Sequence, residues 1–399
     1  MKTKAVSLAL ATLFALPGVT AAADGKEVRI THISDRTGGM EPYATATNIG
    51  LMMGLEYATG GKMEVAGRKI TVISKDSMLK PDLGKSLLQA AYTDDKADLV
   101  VGPTSSAVAL AMLPVAKEQK KLLIIDAAAA ENLTGSKGNR YVFRVGRNSD
   151  HDGYANAMVQ GRPGNFIATL APDYAYGREG ITSFREALKQ TPAQLVHEEY
   201  APPGTTDFTA QAQRMFNALK DKPGRKIIWY LWAGAGNPLK IMDLDPKRYG
   251  IEVVTGGNIL PVIATYKPLV GSEGATHYYF QCPKNAANDW LVAEHQKRHK
   301  GPPDFFTVTG MMTGIAIVEM LKKTKGATDT ETMIKALEGM AFDGPKGRNY
   351  FSKDNHQLMQ PMYHFRIKLD PAITGGVGQE CIREIPIEEM KFPVVPLKN

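Results

Sequence analysis

The 399-residue chain holds only two cysteines, Cys282 and Cys381. Their positions exclude a Cys-x-x-Cys redox pair. The two lie far apart in sequence, so a disulfide and two buried thiols both stay open until their distance is known. No dense block of lysine and arginine occurs. The formal charge of +7 is spread along the chain, and nucleic acid is excluded as a partner. Gly-x-Ser-x-Gly, His-Glu-x-x-His and Gly-x-x-x-x-Gly-Lys are absent, which removes the commonest signatures of serine hydrolases, zinc proteases and phosphate-loop enzymes. Repeats, low-complexity tracts and disordered linkers are also missing. Beyond the amino terminus no uninterrupted apolar stretch suffices to cross a bilayer.

What is present begins with Lys2 and Lys4, the apolar run Ala5 to Val19 and the small residues Ala21, Ala22 and Ala23. This is a secretory signal peptide, residues 1–23. No cysteine follows it, so no lipid anchor is expected. Its removal lowers the charge from +7 to about +5, because Lys2 and Lys4 leave. The remainder exceeds the usual size of one domain, so two lobes are expected.

The stretch Asp98-Leu-Val-Val-Gly-Pro-Thr-Ser-Ser-Ala107 organises the chain. Leu99 to Val101 reads as a strand buried on both faces. Gly102 and Pro103 end it, and Thr104, Ser105 and Ser106 precede a helix over 107–118. A helix start at the carboxyl end of a strand leaves free N–H groups where open α/β sheets bind ligands. An ordinary strand–turn–helix with a capping serine is the plainer reading.

Strands at 28–33, 70–73, 98–101 and 121–125 alternate with helices at 44–58, 81–93 and 107–118. This predicts a parallel α/β sheet with right-handed crossovers. The pattern restarts with strands at 165–170, 195–200, 226–231 and 253–255 and helices at 178–189 and 207–219. Residues 284–345 read as mainly helical, and 350–388 as a hairpin-like tail. Two polar clusters, Ser149-Asp-His-Asp152 and Asp354-Asn-His356, have side chains suited to metal binding or acid–base chemistry. Loop turns and hinge networks use the same residues. Asn132-Leu-Thr134 matches a glycosylation sequon, which the bacterial style of the signal peptide makes irrelevant.

Gly102-Pro-Thr-Ser-Ser106, Ala127-Ala-Ala-Ala-Glu-Asn-Leu-Thr134, Asp173-Tyr-Ala-Tyr-Gly177, Thr206-Asp-Phe208 and Phe342-Asp-Gly-Pro-Lys-Gly347 together carry a resemblance. In order and spacing the chain resembles the type I periplasmic solute-binding proteins of ABC importers, in the branched-chain amino-acid-binding (Leu/Ile/Val-binding) group. The resemblance implies two Rossmann-like α/β lobes joined by three hinge crossovers, closing on ligand as a Venus flytrap. It assigns 24–146 plus 284–345 to the first lobe and 147–280 plus 350–390 to the second. A periplasmic location, a permease partner, a monomeric state, no cofactor and no metal are implied as well.

The site carries over position by position. Ser105 and Ser106 match a serine pair that holds a ligand carboxylate, in keeping with anion binding at a helix start. Ala127 and Ala129 match a loop giving backbone contacts, with Ala129 standing where the family usually has threonine. Tyr176 matches a tyrosine that closes over the ligand, and Tyr174 is near enough to share that role. Trp232 lies where another aromatic is expected. The family's acidic partner for an ammonium falls near Gly256-Gly-Asn258, and here only Asn258 is offered. An ammonium buried without an opposite charge is disfavoured, so the implied ligand is a carboxylate without an amine. Trp232, Tyr174, Tyr176 and Tyr43 suit an aromatic acid of benzoate or cinnamate type. Arg36 adds a fork-shaped partner for its carboxylate, unless it is a solvated surface arginine. The alternatives are a receptor for a branched-chain amino acid or small amide and, from another class, a sensory module or an exported hydrolase.

Overall fold

Alternating Val28 and Ile30 open strand β1 (Glu27–Ser34) in the computed structural model, which describes residues 25–397. The signal peptide, 1–23, lies outside the described residues. Helix α1 (Glu41–Ala58), the short β2 (Glu64–Val65) and β3 (Arg68–Asp76) follow. Next come α2 (Pro81–Thr93), β4 (Leu99–Val101), α3 (Ser106–Gln119), β5 (Leu123–Ile125) and β6 (Val142–Arg144). They form a six-stranded sheet in the order β2-β3-β1-β4-β5-β6, parallel except for the β2–β3 pair. All three residues of β4 are buried, as a strand covered on both faces requires.

Helix α4 (Ser149–Gln160) leads to β7 (Asn165–Pro172), α5 (Ala175–Leu188), β8 (Gln194–Ala201), α6 (Thr209–Leu219), β9 (Arg225–Tyr230) and β10 (Ile251–Thr255). These strands make a second parallel sheet, β10-β9-β7-β8. One turn of helix, α7 (Leu260–Ile263), and β11 (Glu273–Thr276) precede the helices α8 (Ala286–His299), α9 (Phe305–Lys323) and α10 (Thr330–Leu337). Strands β12 (Ala341–Gly344), β13 (Gly347–Phe351) and β14 (Leu358–Met359) form a small antiparallel sheet. Strands β15 (Met362–Leu369) and β16 (Val377–Ile385) pair as a hairpin beside β11 before a final turn, α11 (Ile387–Met390).

Two cores follow. Val28, Ile30 and Leu99 pack with Met311, Ile315 and Met333 from the late helices, and with Phe342, Phe351 and Leu358. Ile167 and Trp229 pack with Met362, Ile385, Met390 and Phe392. Helices α1 and α9 meet through glycines. A Cβ at Gly50 or Gly54 would fall inside the Thr307 or Met311 backbone, and one at Gly310 would strike the Thr47 carbonyl. By length and composition α9 could span a membrane, contrary to the sequence expectation, yet 89% of its apolar stretch is buried in the protein. Its hydrophobicity serves this contact.

Three local expectations need correction, and one strand, β6, had no expectation. Helix α1 starts at Glu41 rather than 44, because Pro42 suits a first turn. Helix α5 starts at Ala175, placing Tyr174 at the cap and Tyr176 on the helix. Strand β6 was too short to read. Ser149 to Asp152 is the first turn of α4, capped by Asn148, whose Oδ1 accepts from the His151 N–H at 3.0 Å. The other cluster also serves structure. His356 Nδ1 donates to the Val142 carbonyl at 3.1 Å, and its ring stacks on Phe143 at 3.8 Å. Cys282 and Cys381 are joined as a disulfide with Cα atoms 5.5 Å apart.

Candidate functional site

After β4, Gly102 takes φ +113°, and a side chain there would strike the Ile33 carbonyl. The chain then reaches Ser105, the N-cap of α3, whose Oγ lies 3.5 Å from the Val108 N–H. Its own N–H donates to Asp35 Oδ2 at 2.6 Å, and the Ser77 hydroxyl donates to the other oxygen. Burial pushes the Asp35 carboxyl up, against these hydrogen bonds and one from the Thr104 backbone. An internal carboxylate therefore occupies the amide that the sequence reading gave to the ligand, and Ser105 acts as a cap. Ser106 fares differently. As the first helical residue its N–H has no intrahelical carbonyl. Its Oγ accepts from the Ala130 N–H at 3.1 Å, which leaves the hydroxyl proton to give.

Ser106 lines a niche of about 20 Å³ with Thr104, Ala127 and Ala129. The loop carrying the two alanines is tied to α4, since the Ala129 carbonyl accepts from the Ser149 N–H at 2.7 Å. Tyr174, Tyr176 and Tyr43 close the niche. The Tyr174 hydroxyl reaches the Ala233 carbonyl at 3.5 Å, and the Tyr43 ring meets Phe306 edge-on at 5.1 Å. Burial raises the ionisation of both Tyr174 and Tyr176 above the ordinary phenol range, so both stay neutral donors.

The charged member of the niche is Arg147, which the sequence reading missed. Between β6 and α4, it is 5% exposed. Its guanidinium lies 4.6 Å from the Phe305 ring centroid and 5.5 Å from that of Phe306. One terminal nitrogen is 3.3 Å from Asp152 Oδ2, and its Nε is buried without a hydrogen-bond partner. Burial pushes the Asp152 carboxyl up, and the Arg147 charge beside it opposes that rise. The available signal was the adjacency of Arg147 to the Ser149–Asp152 cluster, in the break between an apolar and a polar segment.

Arg36 is not brought to the niche. It is exposed, and its N–H donates to Asp76 Oδ1 at 2.9 Å. Trp232 and Asn258 lie in a second cavity of about 350 Å³ that shares Tyr43 with the niche. Trp232 packs edge-on to Phe208 at 5.3 Å, and its Nε1 donates to the Ala235 carbonyl at 3.0 Å. Asn258 Nδ2 donates to the Trp232 carbonyl at 3.2 Å. No aspartate or glutamate lines either cavity among the described residues.

Residues 27–375 match the family described as periplasmic binding protein. The chain belongs to that family. The resemblance read from the sequence holds at the level of family and of fold. An ABC-type branched-chain amino acid transporter from Rhodopseudomonas palustris CGA009, solved as a crystal structure, is 56% identical, covers 93% of this chain and 100% of its own, and has a TM-score of 0.84. A solute-binding protein of an ABC transporter from Rhodopseudomonas palustris BisB5, solved with 3,4-dihydroxy benzoic acid, is 24% identical. It covers 91% of this chain and 98% of its own, with a TM-score of 0.77; at that identity the likeness speaks for the fold. Leu/Ile/Val-binding protein homolog 3 from Brucella melitensis biotype 1 is 24% identical over 283 residues, 68% of this chain and 73% of its own. The niche and the Tyr43 cavity are lined by residues from loops of both parallel sheets.

Proposed function

We propose that this periplasmic binding protein is the receptor of an ABC importer for a small carboxylate with an aromatic body. One observation carries the reading. Arg147, whose buried Nε has no hydrogen-bond partner, lines a niche with Ser106, while among the described residues no acidic side chain lines the cavities. A planar guanidinium with a free donor matches a carboxylate. An ammonium would find no opposite charge. Relatives of similar fold were solved with benzoate and with 4-hydroxybenzoate, which supports the same class. The name of the 56% identical relative favours a second reading, a branched-chain amino acid.

On this proposal the protein works in the periplasm after loss of residues 1–23, as a monomer that delivers ligand to a membrane permease and performs no catalysis. The lobes are 24–146 with 284–345 and 147–280 with the tail. The tail's return to the second lobe starts after Leu358 rather than at 350, because Phe351 and Leu358 pack in the first core. Calorimetric titration with benzoate, cinnamate, leucine and a small amide tests the reading. Binding of the acids supports it, and binding of leucine alone overturns it in favour of the second.

A further inference from the structure

The two cavities that share Tyr43 differ in size and lining. The niche at Arg147 and Ser106 measures about 20 Å³, room for about one water-sized group. The chamber beyond Tyr43 measures about 350 Å³, within the usual range of small-molecule sites. No charged residue lines it, and Trp232, Leu239, Pro261 and Val262 supply apolar walls. A dry cavity of roughly 150 Å³ accepts one benzene ring. The chamber can therefore take a ring, and the niche cannot.

We propose that the ligand is divided between the two cavities: one oxygen of its carboxylate enters the niche against Arg147 and Ser106, its ring fills the chamber, and a short unbranched spacer passes Tyr43. The preferred class is then arylalkanoates and arylalkenoates rather than benzoates. This rests on the carboxylate reading above.

The test is calorimetric titration of the mature protein with benzoate and phenylpropanoate, then of Val262→Trp. The wild type should bind phenylpropanoate at least about tenfold more tightly than benzoate, the scale of filling an apolar pocket. Val262→Trp should erase that preference. Benzoate binding as tightly as the spaced acids overturns this inference and leaves the carboxylate reading standing. Failure of every acid to bind overturns both. Should Val262→Trp not fold, the wild-type ranking still decides.

Discussion

Arg147 meets Asp152 at 3.3 Å in the interior, with side chains only 6% and 8% exposed. The pair holds the guanidinium in place without using all its donors, since Nε stays free. Arg147→Met should abolish acid binding, a loss of roughly 2–5 kcal/mol. It should also destabilise the fold by about 3–5 kcal/mol, because Asp152 is left buried and unpaired. Adding Asp152→Asn should restore the stability and not the affinity. Titration and chemical denaturation of both variants check this; normal binding by Arg147→Met would refute the site.

Ser106→Ala should weaken carboxylate binding by about 1–2 kcal/mol, the scale of a hydrogen bond to a charged group, with little change in melting temperature. Arg36→Ala is the control. Exposed and outside both cavities, it should bind as the wild type does. Reversal of these two results in the same titrations would return the carboxylate role to Arg36.

The α1–α9 contact has no room for a methyl group. Gly54→Ala should lower stability by at least about 1–3 kcal/mol, as overpacking does, because its Cβ would meet the Met311 backbone rather than a movable side chain. Gly60, where a Cβ meets nothing but φ is +60°, should suffer only local strain on the same change. Urea midpoints for the two variants separate steric from conformational cost.

Burial raises the Asp150 carboxyl to about 6, against a hydrogen bond from the Ser183 hydroxyl at 2.6 Å. The folded state thus binds a proton that the unfolded state has released between about pH 4 and pH 6. Asp150 therefore favours folding at acid pH, and its contribution falls as pH rises through that window, by roughly 3 kcal/mol. Asp150→Asn should flatten this part of the stability curve. A curve unchanged by the substitution would show that Asp150 ionises normally.

The bond between Cys282 and Cys381 closes a loop of 99 residues between the start of the late helices and the tail hairpin. Denatured, unreduced protein should show no free thiol. Reduction should cost about 2–5 kcal/mol. Two thiols in that assay would remove the bond.

Much of the site was legible because it sits on strongly patterned segments. The apolar strand Leu99–Val101, the break at Gly102 and the hydroxyl run located α3 to within one residue of its start at Ser106. Tyr43, Tyr174 and Tyr176 were found as aromatics beside predicted ligand loops, and all three face the niche. Ser105 was misjudged because its competitor, Asp35, lies seventy positions away. Arg36 and Arg147 look alike in sequence. What separates them is burial, and burial depends on Phe305 and Phe306 arriving from α9.

The sequence by itself determined the alternation of strands and helices, the two α/β units and the family, because hydrophobic periodicity and turn chemistry are local. Tertiary structure alone decided which arginine is buried, which amide stays free, that the two cysteines pair, and that the aromatic residues divide between a niche and a chamber. Each of these is a distance between segments remote in the chain, and local pattern carries no information about such distances.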